Sequence, residues 1–401
     1  MAGSDRGDLT RTAILALLGT VGPLSRTEIA RELDVSPATV TQLTRELIGH
    51  GMVEELDLKP SRGGRPAQRL GLVGSAGRAL GVKVTADHLV LVDVRLDGVV
   101  LGSWERPFDP GSPDAAGDLA DAVESTLSTI TGVPPLLGVG VGVPGSVDDQ
   151  AVGTVNAPTL GWQAMPVGER LRRRLNLPVL VENDVNALAA AERIYGRGRT
   201  HRDFLVLTIG RGVGAAIVAD GRVYRGARGG AGEFGHLCVD PQGPLCGCGA
   251  RGCLEAFVGS AGLLAAARAA GSPAADRLGS VADLGRAATA GDRVASRVFA
   301  EAGEVLGRAT AGLVNVVDPE VVVVLGEGTA DWPFWQEGFD LALRAQLYPG
   351  RRDIAIEVEG WDETSWAQGA AALVLATPFD AAGAAGEQGR LVRARLIGTK
   401  P

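Results

Sequence analysis

Ala79-Leu-Gly-Val-Lys-Val-Thr85 and, after a short break, Leu89-Val-Leu-Val-Asp-Val94 decide the fold. Both are short runs rich in Val and Leu, and the second runs into a Leu96-Asp-Gly98 turn, so they read as two consecutive strands. A similar pattern returns 125 residues further on, from position 79 to position 204. There Phe204-Leu-Val-Leu-Thr-Ile209 is followed by Gly210-Arg-Gly-Val-Gly214, Ala215-Ala-Ile-Val218 and Asp220-Gly221. Each copy leads into helical stretches and then more strand. Two related halves with mixed sheets imply an α/β body of two lobes, with a cleft suited to a small ligand.

N-terminal to this body the period is helical. Ile14, Leu15, Leu17 and Leu18 mark a first helix, which Gly22-Pro23 ends. Ser25-Arg-Thr-Glu28 reads as a capping box opening a second helix through Ile29, Ala30 and Leu33. Ser36-Pro37 supplies the N-cap and first-turn proline of a third, with Val40, Leu43 and Leu47 as its buried stripe. At 100° per residue, Ala38, Thr41, Gln42 and Arg45 fall on the opposite face, small and polar as a helix in a major groove requires. Two short strands flank the loop Lys59-Pro-Ser-Arg-Gly-Gly-Arg-Pro66, forming a wing. Lys59 to Arg69 holds four basic residues and no acidic one, whereas residues 1–75 hold nine of each. Arg62 and Arg65 are therefore placed to enter a minor groove. The competing reading is a three-helix interaction module with a solvated basic loop.

The 401 residues carry 39 Lys+Arg against 47 Asp+Glu, a formal net charge of -8, which argues against a protein coating nucleic acid along its whole surface but not against a small DNA-reading module. Hydrophobic residues at 45% and charged residues at 21% fit a globular protein. No apolar run nears the roughly 18 residues of a membrane span, and Met1-Ala-Gly-Ser-Asp5 lacks the basic start of a signal peptide, so a cytoplasmic location without membrane contact is expected. The four cysteines all lie between Cys238 and Cys253, a clustering that points first to metal and second to redox chemistry. The expected organisation is a winged helix-turn-helix at 1–75, a first lobe at 76–195 and a second lobe with the cysteine loop at 196–380. Residues 381–401, which begin with Ala and Gly and end with Arg390, Arg393 and Arg395, read as a mobile tail.

Five motifs then carry a resemblance. They are Gly140-Val-Gly-Val-Pro-Gly145, Asn156-Ala-Pro-Thr-Leu-Gly-Trp162, Glu182-Asn-Asp-Val-Asn186, Ala231-Gly-Glu-Phe-Gly-His236 and Cys246-Gly-Cys-Gly-Ala-Arg-Gly-Cys-Leu-Glu255. In this order they resemble the ROK family, which groups sugar-responsive repressors with sugar kinases. The resemblance runs from about Ala79 to about Ala376 and implies an actin/hexokinase-like (ribonuclease H-like) two-lobed body.

His236, Cys246, Cys248 and Cys253 form a four-ligand set suited to tetrahedral Zn2+, with no open position for a catalytic water, so the metal is expected to be structural. The alternative is a set of free thiols in a glycine-rich loop. Cys238 is read as a buried small residue outside the set. By resemblance the metal loop also holds neighbouring sugar contacts in place. Gly145, Asn156, Asn183, Asp184, Glu233, His236 and Glu255 match the family's sugar-binding positions, and Asp184 matches the general base of the family's kinases. Taken alone, Asn183-Asp184 could instead cap the helix that starts there.

Kinase chemistry needs glycine turns around phosphate in both halves. Where family kinases show an Asp followed by Gly-Gly-Thr, this chain has Lys83-Val-Thr-Ala-Asp87, and a Lys cannot ligate Mg2+. Arg211 replaces a small hydroxyl residue in Gly210–Gly214, and Glu327 interrupts a Gly-Gly pair in Val324-Leu-Gly-Glu-Gly328. The expected function is therefore a sugar-responsive transcriptional regulator, most simply a repressor of carbohydrate uptake or metabolism genes, and not an enzyme. It would bind a near-palindromic double-stranded operator as a homodimer or homotetramer, with a monosaccharide or sugar derivative as effector. The alternative is an ATP-dependent sugar kinase with a fused DNA-binding domain.

Overall fold

The computed structural model describes residues 10–11, 13–19, 21–59, 67–132, 134–271, 279–362, 364–379 and 385–397. They fall into two compact units, Met1–Thr200 with Thr364–Pro401, and His201–Glu363.

The first unit opens with a winged helix. Residues 10–11 and 13–19 are helical (α1), followed by β1 (Leu24–Ser25), α2 (Arg26–Glu32), α3 (Pro37–Gly49), β2 (Val53–Lys59) and β3 (Ala67–Leu72). The three strands pair antiparallel in the order β1-β3-β2. The capping box forms as its spacing requires: the Ser25 side chain accepts from the Glu28 N–H while Glu28 accepts from the Ser25 N–H at 2.8 Å. Ser36 caps α3 by accepting from the Thr39 N–H at 3.1 Å. Ile14, Leu18, Ile29, Val40, Leu47 and Leu70 bury the inner faces of these elements.

Residues 73–77 lead into β4 (Arg78–Val84), β5 (His88–Arg95) and β6 (Val100–Pro107). Then come α4 (Ala115–Thr129), β7 (Leu136–Val143), β8 (Ser146–Val147), β9 (Val155–Ala157), β10 (Trp162–Met165), α5 (Val167–Leu175), β11 (Val179–Asn183) and α6 (Asp184–Ile194). The main sheet has the order β11-β7-β4-β5-β6. Strands β4, β5 and β6 form an antiparallel meander, and β7 and β11 add in parallel. Its central strands are buried on both faces, which is why they read as continuous apolar runs.

The second unit repeats the plan. It contains β12 (Phe204–Ile209), β13 (Val213–Ala219), β14 (Arg222–Val223), α7 (Glu255–Val258), α8 (Ser260–Ala269), α9 (Val281–Thr289), α10 (Arg293–Val317), β15 (Val321–Leu325), α11 (Trp332–Gln346) and β16 (Ala355–Val358). The sheet order is β14-β13-β12-β15-β16, again three antiparallel strands and two parallel additions. The internal similarity in sequence is thus a similarity of topology.

Two expected boundaries need correction. The chain returns to the first unit at residue 364, with α12 (Ser365–Leu375), so the second unit ends well before 380. Glycine decides this packing. A Cβ on Gly81 of β4 or Gly140 of β7 would strike the α12 carbonyls of Ala367 or Ala370, so α12 lies directly on the first sheet. The expected mobile tail instead contains a helix, α13 (Gly386–Ile397), with Val392 and Leu396 buried and the Gln388 side chain accepting from the Val179 N–H. Among the described residues, no helix is long and apolar enough to cross a membrane.

Candidate functional site

In the first unit the polar candidates gather where β11 ends and α6 begins. Asn183 caps α6, its Oδ1 accepting from Val185 N–H at 2.9 Å and Asn186 N–H at 3.1 Å. Its Nδ2 donates to the Gly145 carbonyl at 3.0 Å. Both ends of this amide therefore serve the fold, and the capping role weighed for it is real. Gly145 has φ +102, and a Cβ there would strike the Asn156 carbonyl, so the position demands glycine. Asn156 is exposed; its Oδ1 accepts from the Ala164 N–H at 2.9 Å, leaving its NH2 group as the end offered outward.

Asp184 lies in a different setting from the one its motif suggests. Its Oδ2 is ion-paired with Lys83 Nζ, and its Oδ1 accepts from Val185 N–H at 2.9 Å. The two side chains are only 10% and 11% exposed. The Lys83 ammonium also sits 4.6 Å from the centroid of the Trp366 ring on α12. Register explains the reach. Lys83 pairs with Gly142 on β7, and Asn183 pairs with Val143, so one strand separates the partners. Gly142 puts no side chain between them, and a Cβ there would already touch Asp184 at 3.7–3.8 Å. Sequence reasoning singled out both residues but missed that they meet, and it missed Trp366 altogether; no local signal links positions 101 apart.

In the second unit the ligand atoms of His236, Cys246, Cys248 and Cys253 all lie within 4.8 Å of one another. Cys248 Sγ is 3.7 Å from Cys253 Sγ, and Cys246 Sγ is 3.7 Å from His236 Nδ1. An edge of roughly 3.7 Å is what a tetrahedron with metal–sulfur bonds of about 2.3 Å has. The donors therefore fit a tetrahedral thiophilic cation. Burial and the neighbouring thiols push Cys253 up to about 12, while hydrogen bonds from the Ala250 backbone and then from Cys246 hold Cys248 down. A bound cation would favour the thiolate form at each sulfur. Bridges Cys238↔Cys253 and Leu245↔Arg251 set the loop. Cys238 itself is exposed rather than buried; its backbone bridges to Cys253 and its Sγ donates to the Arg251 carbonyl at 3.7 Å.

Glu233 Oε2 lies 3.8 Å from His236 Nε2, on the ring edge opposite the thiols and beyond hydrogen-bond distance. Glu255 accepts from the Val213 N–H at 3.2 Å and closes over Gly212, where a Cβ would strike its carboxylate.

Two of the stretches compared above with the family's phosphate turns are closed by internal hydrogen bonds. At 85–88 the Thr85 N–H donates to the His88 carbonyl at 3.0 Å and the His88 N–H to Thr85 Oγ1 at 3.1 Å. At 210–212 the hairpin closes with Gly210 N–H on Gly212 O at 3.0 Å, and the Glu327 carboxylate rests where a Gly210 Cβ would stand.

On the winged helix, Ala38, Gln42 and Arg45 of α3 are exposed and Thr41 is half-buried, its hydroxyl donating to the Pro37 carbonyl at 2.8 Å. Gln42 donates to Glu46 at 3.2 Å. Arg62 and Arg65 lie outside the described residues.

The sequence matches the ROK family over residues 81–377. The chain belongs to the ROK family. Residues 8–59 match the MarR family, in keeping with the winged helix. Among ROK relatives, it is 32% identical over 319 residues to the "Xylose repressor" of Caldicellulosiruptor bescii, covering 75% of this chain and 78% of that protein. It is 29% identical over 330 residues to the "DNA-binding transcriptional dual regulator NagC" of Escherichia coli K12, covering 80% and 81%. A solved ROK family transcriptional regulator, described as a homologue of the E. coli MLC protein, superposes with a TM-score of 0.82 at 26% identity over 98% of this chain and 100% of that one. A ROK glucokinase from Streptomyces griseus, solved with glucose and AMPPNP, gives 0.66 at 29% identity over 74% and 99%. That enzyme matches three quarters of this ROK chain, whereas the regulator also spans the winged helix.

Proposed function

We propose that this protein is a sugar-responsive DNA-binding transcriptional repressor, and that it does not phosphorylate its sugar. The observation that carries the reading is the Lys83–Asp184 ion pair in a body joined to a winged helix. A general base must take a proton from a sugar hydroxyl and release it. Asp184 is instead held by a buried ammonium at Oδ2 and by an amide N–H at Oδ1, with lone pairs left to accept a hydrogen bond. Lys83 also brings a positive charge where a kinase would want a Mg2+ ligand. The self-closed turn at 85–88 and the Glu327 carboxylate beside Gly210 both oppose phosphate.

Gly145, Asn156, Asn183, Asp184, Glu233, His236 and Glu255 are the residues we assign to the sugar. Asn183 acts mainly as the cap that sets its neighbours. His236, Cys246, Cys248 and Cys253 would hold Zn2+, which would crosslink the loop and fix His236 and, through it, Glu233. Ala38, Thr41, Gln42 and Arg45 are assigned to base edges, with Arg62 and Arg65 on the flanking groove. A homodimer or homotetramer would present these modules in pairs to a near-palindromic operator.

The test is a thermal-shift panel on zinc-loaded protein with D-xylose, D-glucose and N-acetyl-D-glucosamine, each with and without ATP-Mg. DNA selected from a random duplex library by the same protein supplies the operator probe. A neutral sugar that raises Tm and changes operator affinity, with no nucleotide effect, is the expected result. Stabilisation by ATP-Mg followed by sugar phosphorylation would replace this reading with the kinase.

A further inference from the structure

Helix α6 is fastened at both ends to things the proposed function must connect. At its start are the Asn183 cap, bonded to Gly145, and Asp184, paired with Lys83. At its end Tyr195 closes the last turn, and its hydroxyl donates to the Leu96 carbonyl at 3.0 Å. The Tyr195 ring lies flat against Gly98, which has φ +86 and whose Cβ would come within 3.1 Å of the ring. Leu96 in turn donates its N–H to the Gly77 carbonyl at 2.9 Å, at the end of the 73–77 linker. Asp97, clamped by two Arg95 donors at 2.8 and 2.5 Å, rests its carboxylate on Gly74, where a Cβ would strike it. At the linker's other end the Val73 N–H donates to the carbonyl of Met52, a residue of the winged-helix core.

Every joint in this series is a short contact, and the piece between them is stiff. Nine of the eleven α6 residues are buried, and Gly369 of α12 packs directly on Leu188, where a Cβ would come within 3.0–3.1 Å. An eleven-residue helix spans roughly 16 Å and, packed this way, moves as a rod rather than bending. We propose that α6 carries the state of the sugar residues to the winged helix, and that Tyr195 is the positioning residue that couples the rod to the linker. This rests on the regulator reading above. A hydroxyl bound at Asp184 or Asn156 acts on the first turn of α6, and the displacement reaches the 95–98 turn through the Tyr195 hydroxyl. The turn then moves 73–77 through Gly77 and Gly74. The sugar needs only a differential affinity for the two helix positions.

The test is Tyr195→Phe, which keeps the ring against Gly98 and deletes one hydrogen bond. Three quantities are measured on the full zinc-loaded chain: sugar Kd, operator Kd without sugar, and the ratio of operator Kd with and without the sugar that stabilises wild type. We expect the first two within about twofold of wild type and the ratio reduced about five- to tenfold, the weight of one net hydrogen bond. Asp97→Ala, on a partly exposed side chain at the linker joint, should reduce the ratio in the same way. Hydrogen exchange adds a readout that needs no DNA. Sugar should alter protection at 73–77 in wild type and leave it unaltered in Tyr195→Phe. A wild-type ratio in both variants overturns the route while leaving the regulator reading intact. Sugar binding with no change in operator affinity in wild type overturns the regulator reading and the route together.

Discussion

Replacing Lys83 by Met removes the ammonium, and with it the cation over the Trp366 ring, but keeps most of the volume of the side chain. What remains is an Asp184 carboxylate in a site that leaves only 11% of it exposed, with one backbone N–H as partner. Breaking a buried pair by deleting one member costs roughly 3–5 kcal/mol, because the surviving charge is stranded. For a unit of this size that corresponds to a Tm lower by roughly 6–20 °C. The control is Arg173→Met, which breaks the Arg173–Glu169 pair whose side chains are 69% and 60% exposed and should cost under about 1 kcal/mol. The assay is urea unfolding followed by far-UV circular dichroism, run on Lys83→Met, Asp184→Asn and the double variant. Removing both charges leaves nothing stranded, so the double variant should be more stable than Lys83→Met, giving a coupling energy of about 1–3 kcal/mol. Two results refute the argument: Lys83→Met within about 0.5 kcal/mol of wild type, or a double variant whose cost equals the sum of the single costs.

Cys246→Ser should take zinc content from one per chain to near zero and lower the Tm, read by atomic emission and calorimetry; full metal stoichiometry would remove Cys246 from the ligand set. Arg62→Ala combined with Arg65→Ala should weaken operator binding and reduce the slope of log K against log salt by about 2, and an unchanged slope would take this loop out of the interface. Leu396→Ala in α13 should cost roughly 2–4 kcal/mol, since that side chain is 7% exposed, whereas a loss below about 0.5 kcal/mol would mean that the helix is not docked.

Much of the candidate site was legible because its signals are local. Ser25 with Glu28 and Ser36 with Pro37 fix helix starts through hydrogen bonds spanning three residues, and the chain obeys both. The four candidate metal-binding residues sit within one stretch of chain, so their convergence needed only turns, which Gly249 and Gly252 supply at positive φ. The Asn183-Asp184 pair shows the limit of such reading. Its motif fits a cap and a sugar contact equally well, and the hydrogen bonds show Asn183 committed to capping while Asp184 is committed to Lys83. The helix at 386–397 was missed because its Ala/Gly-rich approach and arginines look solvated until Val392 and Leu396 are seen buried.

The amino-acid sequence by itself determined the winged helix, the two strand-rich halves, the His/Cys3 cluster and the family. All of these follow from hydrogen bonds, periodicities and motifs that act over a few residues of chain. Only the tertiary structure decided that α12 belongs to the first unit, that Lys83 holds Asp184, and that Tyr195 ties α6 to the linker. Each depends on residues far apart in sequence arriving at neighbouring strands or helix ends. The glycines at 81 and 140 permit the approach of α12, but a missing side chain does not announce in sequence what will fill the space.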